Sequence, residues 1–398
     1  GAGNAGLVYM TLEMIAVGSA AALQIVIARR IGEGRRDAAL QTFRTGLLLH
    51  GLMGLSLMGI GMLLNSGPVN SAIADPGIRA VFTEFFAIRL LGFIPFTALL
   101  AFNALYTGTA KTWPILAIGA CSATINIVLD AAWVEGWWGV EAIGATGAAW
   151  ASFCAESTGF LIALALTLRV MPKAMRPWSL LSWEDLRAWW KLAYPLIGQF
   201  LTTVSTWTAF FFFVEKVGSL ELKVSHVTRN FFMLAFIVTQ GMQQTTRTYV
   251  SGLLGAGRLE ELDQTLRRLF TLTFIGILLL CHGYILYPND LAAVFFTDAA
   301  GQEAMVKTLH LLFIAVCTYA FTGIMLSTIQ GSGATNVAFR VEMAAVTIYM
   351  VVAAALTLIW PQPIWVIWRV ELVYFSSIGL GSWLYLRKGT WRHITQPS

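Results

Sequence analysis

Apolar stretches of twenty residues or more recur from one end of this 398-residue chain to the other. Each is long enough to cross a hydrocarbon core of roughly 30 Å as an α-helix. Lipid offers no partner to a backbone N–H or C=O, so such runs must satisfy their own hydrogen bonds. The alternating pattern of a membrane β-barrel is absent. Only 12% of the residues are charged and 57% are hydrophobic, whereas a soluble domain is about a quarter charged. The fold class expected is therefore an all-α polytopic membrane protein. Cys121, Cys154, Cys281 and Cys317 lie within apolar runs at unrelated spacings, without a zinc, haem or redox pattern.

Eleven spans can be read, near 7–28, 40–64, 79–106, 113–134, 143–169, 189–214, 224–250, 267–287, 304–330, 336–360 and 364–386. The loops alternate in charge. One set is rich in Arg and Lys, among them Arg29, Arg30, Arg35, Arg36, Lys111, Arg169, Lys173, Arg258, Arg267, Arg268 and Arg387. The other holds only Arg79, Lys216, Lys223 and Lys307. Retention of basic loops on the cytoplasmic side puts the first set, and the C-terminus, in the cytoplasm.

An internal comparison organises these spans. "GEGRRDAALQTFR" (Gly32 to Arg44) aligns with "GAGRLEELDQTLR" (Gly255 to Arg267) at an offset of 223. The same offset superposes "GTAKT" (Gly108 to Thr112) on "GSGAT" (Gly331 to Thr335), and Asp75 on Asp298. Both copies of each loop fall on one membrane side, so the halves are parallel repeats. The span at 189–214 opens the second half, and its partner falls before Gly1. The expected architecture is two six-helix lobes, with eleven spans present and twelve in a full chain. The domains expected are an N-terminal lobe 1–172 lacking its first helix, a cytoplasmic linker 173–188, a C-terminal lobe 189–387 and a tail 388–398. Within the linker, Ser182 with Asp185 reads as an N-cap for a short amphipathic helix on the membrane surface.

"RRIGEGRRDAA", "LYTGTAKTWPILAIGACSATINIVLD", "GATGAAWAS", "GLLGAGRLEEL" and "KLAYPLIGQFL" together resemble the multidrug and toxic compound extrusion (MATE) transporters. The resemblance covers nearly the whole chain. It implies two six-helix lobes and alternating-access export of amphipathic or cationic organic compounds, in exchange for Na+ or H+. It also implies a multi-pass protein of the bacterial inner membrane, needing no cofactor beyond the coupling ion. The partners expected are a small organic substrate and membrane lipids, with no nucleic acid, and the chain is expected to be a monomer. Two other readings are a flippase for lipid-linked saccharides in the same superfamily, and a non-transporting receptor or scaffold. No phosphate loop, zincin motif or nucleophile elbow points to an enzyme.

Asn126 and Asp130 stand one turn apart in an apolar run, on one helical face. A carboxylate at the middle of a bilayer costs about 2.5–3.5 kcal/mol on insertion scales, and such acids usually serve a function. A carboxylate with an amide oxygen can begin a Na+ shell, and the same acid can instead carry a proton. Ser152 and Glu156, again at i and i+4 in the next span, complete a candidate cation-coupling set. The resemblance matches Asn126 and Asp130 to the Asn and Asp of the cation-linked site in archaeal and DinF-like members, and Ser152 to a frequent Thr. Their repeat partners are Tyr349 and Ala353, so the acid reads as an addition to one lobe. Other members carry an acid early in the helix opening the second lobe. Here that position is Thr203, and the span 304–330 holds no buried acid, which argues against a cation site of that kind.

Glu13, Glu84 and Arg89 are candidate charge partners or gating residues, with Glu84–Arg89 the expected pair unless Arg89 neutralises Asp130. Glu215 and Arg229 are read as an ion pair at the outer rim, and Arg369 and Glu371 as side chains reaching the interface. Tyr194, Gln199, Trp207, Gln240, Gln243 and Gln244 are candidate cavity residues, because aromatic faces attract organic cations and amides orient them. The histidines show no metal spacing, and the only metal considered is Na+ at Asp130.

Overall fold

The computed structural model describes residues 2–67, 73, 75–176 and 183–393. These are almost entirely helical. In chain order the long helices are α1 (Ala2–Gly32), α2 (Arg36–Ser66), α3 (Pro76–Leu91), α4 (Phe93–Gly108), α5 (Trp113–Trp133) and α6 (Gly144–Val170). They continue with α7 (Trp183–Glu215), α8 (Ser219–Gly255), α9 (Leu262–Cys281), α10 (Ala299–Ser332), α11 (Thr335–Ala354) and α12 (Arg369–Leu386). Among the described residues, nine helices are long and apolar enough to cross a membrane, or ten if α3 and α4 form one bent span. The sequence reading of eleven exceeds this by one. The difference is α8, which is 37 residues long but interrupted by Glu221, Lys223, Arg229, Gln240, Gln243, Gln244 and Arg247.

The repeat is visible in the turns. Gly34 and Gly257, partners at the offset of 223, both have positive φ, 76° and 69°, where a side chain is strained. In the second shared loop Ala110 adopts φ 53° and its partner Gly333 φ 93°. Asp75 accepts from Ile78 N at 2.8 Å to cap α3, and Asp298 accepts from Gly301 N at 2.7 Å to cap α10.

The helices that follow those caps differ. The chain bends by 43° between α3 and α4. Pro95 explains this: it has no N–H to give to the carbonyl of Leu91, and its ring crowds that carbonyl. The repeat partner of Pro95 is Thr318, and α10 runs through without interruption.

Packing divides the chain into two compact units, residues 1–200 and 201–397, with the division inside α7. In the first unit Leu23, Ile27, Phe43, Phe102, Leu105 and Tyr106 form one apolar cluster, and Tyr9, Phe82, Phe86, Leu90 and Phe93 another. A buried polar knot joins α1, α2 and α4. His50 Nδ1 lies 2.7 Å from Gly46 O, Ser19 Oγ lies 3.3 Å from His50 Nε2, and Thr97 Oγ1 donates to His50 O at 2.7 Å. The second unit has one larger core containing Phe210, Phe232, Leu309, Leu312, Tyr349 and Trp368. Lipid tails are as apolar as these side chains, so close packing and internal hydrogen bonds hold each unit together.

The surface helix expected in the linker does not form a separate element. Residues 183 onwards belong to α7, and Ser182 lies outside the described residues. The reason is packing: Asp185 pairs with Arg30 at 2.5 Å, while Trp189, Leu192, Ala193 and Leu196 bury against Ala21, Ala22, Ile25 and Val26 of α1.

Candidate cation-coupling site

The charged residues of the first unit meet where the chain bends. Arg89, in the last turn of α3, places Nη2 2.9 Å from Glu156 Oε1 on α6 and 3.8 Å from Glu13 Oε1 on α1. The guanidinium lies 4.1 Å over the ring of Tyr9, which stacks on Phe93 at 4.4 Å. All three charged side chains are largely buried, with exposures of 12–18%. Two helices, α1 and α6, therefore supply one carboxylate each to the guanidinium of a third, α3. Glycine at position 92 makes room for this. A Cβ there would collide with Glu156 Oε2, lie 3.0 Å from Arg89 O and 3.3 Å from Tyr9 Oη.

The expected Glu84–Arg89 pair is not formed. Residues five apart on a helix are about 140° apart around its axis, and Glu84 is exposed while Arg89 turns inward. Nor does Arg89 pair with Asp130. Asn126 and Asp130 are both half-buried on α5, the helix whose Leu116, Ile127 and Val128 face outward. Asp130 Oδ1 is buried and without a hydrogen-bond partner among the described residues. Close approaches of Gly159 to Ser122 and of Gly147 to Trp133 set an antiparallel register between α5 and α6. That register brings the Asn126–Asp130 turn level with the Ser152–Glu156 turn. The four residues expected to act together thus divide: Glu156 pairs with Arg89 through Oε1, while Asp130 has no ion-pair partner among the described residues, and each keeps one buried oxygen, Glu156 Oε2 and Asp130 Oδ1, without a hydrogen-bond partner there.

Several expectations for the second unit need correction. Glu215 is exposed, and Arg229 lies 5.3 Å over the Phe211 ring, so they are not an ion pair. Glu371 does not reach an interface. It is 1% exposed and accepts from Tyr349 Oη at 3.0 Å, because the inward face of α12 carries it; only Arg369 turns outward, over Trp365 at 4.9 Å. Thr203, the residue standing where the family resemblance implied an acid, donates to Oε1 of a buried acid, Glu342 of α11, at 2.9 Å; Tyr374 Oη donates to the same oxygen. Sequence reasoning missed Glu342 and did not see that Glu371 is buried. A usable signal existed: Glu342 and Tyr349 lie seven apart and Glu371 and Tyr374 three apart, each pair on one helical face.

Of the candidate cavity residues, Tyr194 is exposed and Gln199 buried, both in the first-unit part of α7. Trp207 packs on Phe232 at 5.0 Å, while Gln240 is half-buried and Gln244 exposed. Gln243 is buried inside the second unit, its Nε2 against Gly323 of α10. Among the described residues, no group of three or more His, Cys, Asp or Glu side chains is arranged to hold a metal.

A sequence profile of the MatE family matches residues 1–132 and 195–356. The chain belongs to the MatE family. These proteins are membrane transporters rather than enzymes, and the chain is a multi-pass membrane protein of that kind. It is 24% identical over 336 residues to "Probable multidrug resistance protein NorM" of Pseudomonas syringae pv. tomato, covering 81% of this chain and 71% of that one. "Multidrug resistance protein MdtK" of Cronobacter sakazakii is 23% identical over 62% of this chain and 55% of its own. The fold matches that of a mutant of the Vibrio cholerae MATE transporter VcmN, with a TM-score of 0.85 at 17% identity over 99% and 90% of the two chains. It also matches a MOP superfamily transporter from Pyrococcus furiosus, with a TM-score of 0.85 at 16% identity over 98% and 88%.

Proposed function

We propose that this MatE chain is a secondary-active exporter of amphipathic or cationic organic compounds, working by alternating access in exchange for H+ or Na+. The observation that carries the reading is the Glu13–Arg89–Glu156 cluster. With both carboxylates ionised it holds one net negative charge among tightly packed helices. An unbalanced charge in such surroundings is costly, so the cluster favours uptake of one proton or one monovalent cation. Its three members sit on α1, α3 and α6, and the balancing charge acts on the packing of all three. Asp130, with Asn126 one turn away, is the nearby group able to pass or share that charge. A tenfold change in substrate affinity requires only about 1.4 kcal/mol of coupling, well within what one buried charge supplies. The names of the relatives support multidrug compounds as the substrate class, and the basic loops support the inner membrane with a cytoplasmic C-terminus.

Efflux from proteoliposomes under separately imposed H+ and Na+ gradients tests this. Wild type should move cationic dyes under one gradient, and Glu156→Gln should lose at least tenfold of that coupled flux. Asp130→Asn should reduce it less. Full coupled transport in Glu156→Gln overturns the site. An absence of dye flux under either gradient redirects the reading to a flippase.

A further inference from the structure

At the repeat positions of Glu13, Arg89 and Glu156 the second unit carries Phe236, Leu312 and Gly379, yet it buries Glu371. This side chain is 1% exposed at the start of α12. Tyr349 Oη of α11 donates to its Oε1 at 3.0 Å, while Oε2 is buried with no hydrogen-bond partner among the described residues. Its surroundings are aromatic. Phe210 of α7 lies 5.9 Å from the Tyr349 ring and 5.7 Å from that of Trp368, whose Nε1 donates to Ser225 Oγ of α8 at 2.9 Å. Tyr349 is also the repeat partner of Asn126. Asp130 Oδ1, one turn from Asn126 in the first unit, and Glu371 Oε2, beside Tyr349 in the second, are both buried carboxylate oxygens without a hydrogen-bond partner among the described residues; the first unit has a further one, Glu156 Oε2, in the arginine cluster.

We propose that Glu371 is a proton-binding site belonging to the second unit, separate from the arginine cluster. Its ligand is a proton rather than a metal cation, because one phenol and one carboxyl amid aromatic rings provide too few oxygens for a cation shell. The titratable neighbours are Tyr349 of α11 and, edge-on to it at 5.5 Å, Tyr374 of α12. The nearby cations are engaged elsewhere. Arg369 lies over Trp365, and Lys307 of α10 pairs with Glu303 at 2.6 Å. No ion pair of Glu371 occurs among the described residues. The neutral acid is the form in which such a buried carboxyl is held most cheaply. The proton sits on Oε2. When that oxygen reaches water the proton leaves as hydronium, and the carboxylate stays bonded to Tyr349 through Oε1.

Infrared difference spectra of the full chain in lipid nanodiscs, recorded between acid and alkaline buffer, test this without transport. Glu371→Gln should lose one carboxylic-acid C=O band. Tyr349→Phe, which keeps the carboxyl and removes only its donor, should retain that band at a shifted frequency. The Tyr349→Phe result also stands if Glu371→Gln fails to fold. A wild-type set of bands in folded Glu371→Gln, or an unshifted set in Tyr349→Phe, overturns the proposal. Glu156→Gln should leave the Glu371 band in place, so failure of the coupling site in flux assays and failure of this site read out separately.

Discussion

At repeat-related positions the two units are built from opposite materials. Tyr9, Glu13, Arg89, Gly92, Pro95, Ser152 and Glu156 of the first unit correspond to Phe232, Phe236, Leu312, Ala315, Thr318, Phe375 and Gly379 of the second. Where the first has a bent span and a charge cluster, the second has an uninterrupted helix and packed rings: Phe232 stacks on Phe375 at 6.3 Å, and Tyr319 stacks on Phe375 at 4.5 Å. At three positions of α5 and α6, set against α11 and α12, the polarity is reversed. Gly119, Ala148 and Ala151 of the first unit correspond to Glu342, Glu371 and Tyr374 of the second. One backbone plan thus tolerates its polar site in two places. The bend and the charges occur together, because Gly92 supplies the space into which Glu156 turns.

The sharpest way to break this comparison is to give the first unit the second unit's residue. Arg89→Leu strands two buried carboxylates and should lower stability by about 3–5 kcal/mol, the usual result of removing one partner of a buried ion pair. Thermal unfolding in detergent measures it. Replacing Glu13, Arg89 and Glu156 together with Phe, Leu and Gly should recover most of that stability while abolishing ion-coupled flux. If the single variant is as stable as wild type, the cluster is not buried as described.

Gly92→Ala should come next. The new Cβ meets Glu156, Arg89 O and Tyr9, so coupled flux should fall at least tenfold, with a stability loss of about 1–3 kcal/mol from overpacking. The reciprocal Ala315→Gly in α10 should cost only about 1 kcal/mol of helix propensity and leave transport intact. Equal effects at the two positions would remove the contrast between the units.

Two smaller changes serve as controls on what the units share. Asp75→Ala and Asp298→Ala each remove a cap bond and should each cost about 1 kcal/mol. Ala110→Gly brings the first unit's left-handed position to the residue its partner has. It should stabilise by up to about 1 kcal/mol by relieving the positive-φ strain. A destabilised Ala110→Gly protein in a chemical denaturation series would contradict the shared turn geometry.

Much of the fold was legible in the sequence. Helix lengths, the paired glycine-containing loops and the offset of 223, which also superposes Asp75 on Asp298, all follow from local chemistry, which a chain expresses wherever its helices pack. The candidate site was only partly legible. Asn126 with Asp130 and Ser152 with Glu156 could be paired by eye, because i and i+4 share a face of one helix. The partner of Arg89 could not be found that way. Glu84 was near in sequence but on another face, while Glu13 and Glu156 come from helices that only packing brings together.

The sequence by itself therefore determined that this protein spans a membrane as helices, which of its loops are basic, and that its two halves repeat one plan. Hydrocarbon forces backbone bonds to close within each helix, so those properties are local. Only the tertiary structure decided that Glu156 belongs to Arg89 rather than to Asp130, and that Glu371 faces inward to Tyr349. Those choices depend on helix rotation and register, set by the packing of whole faces and by room such as that at Gly92.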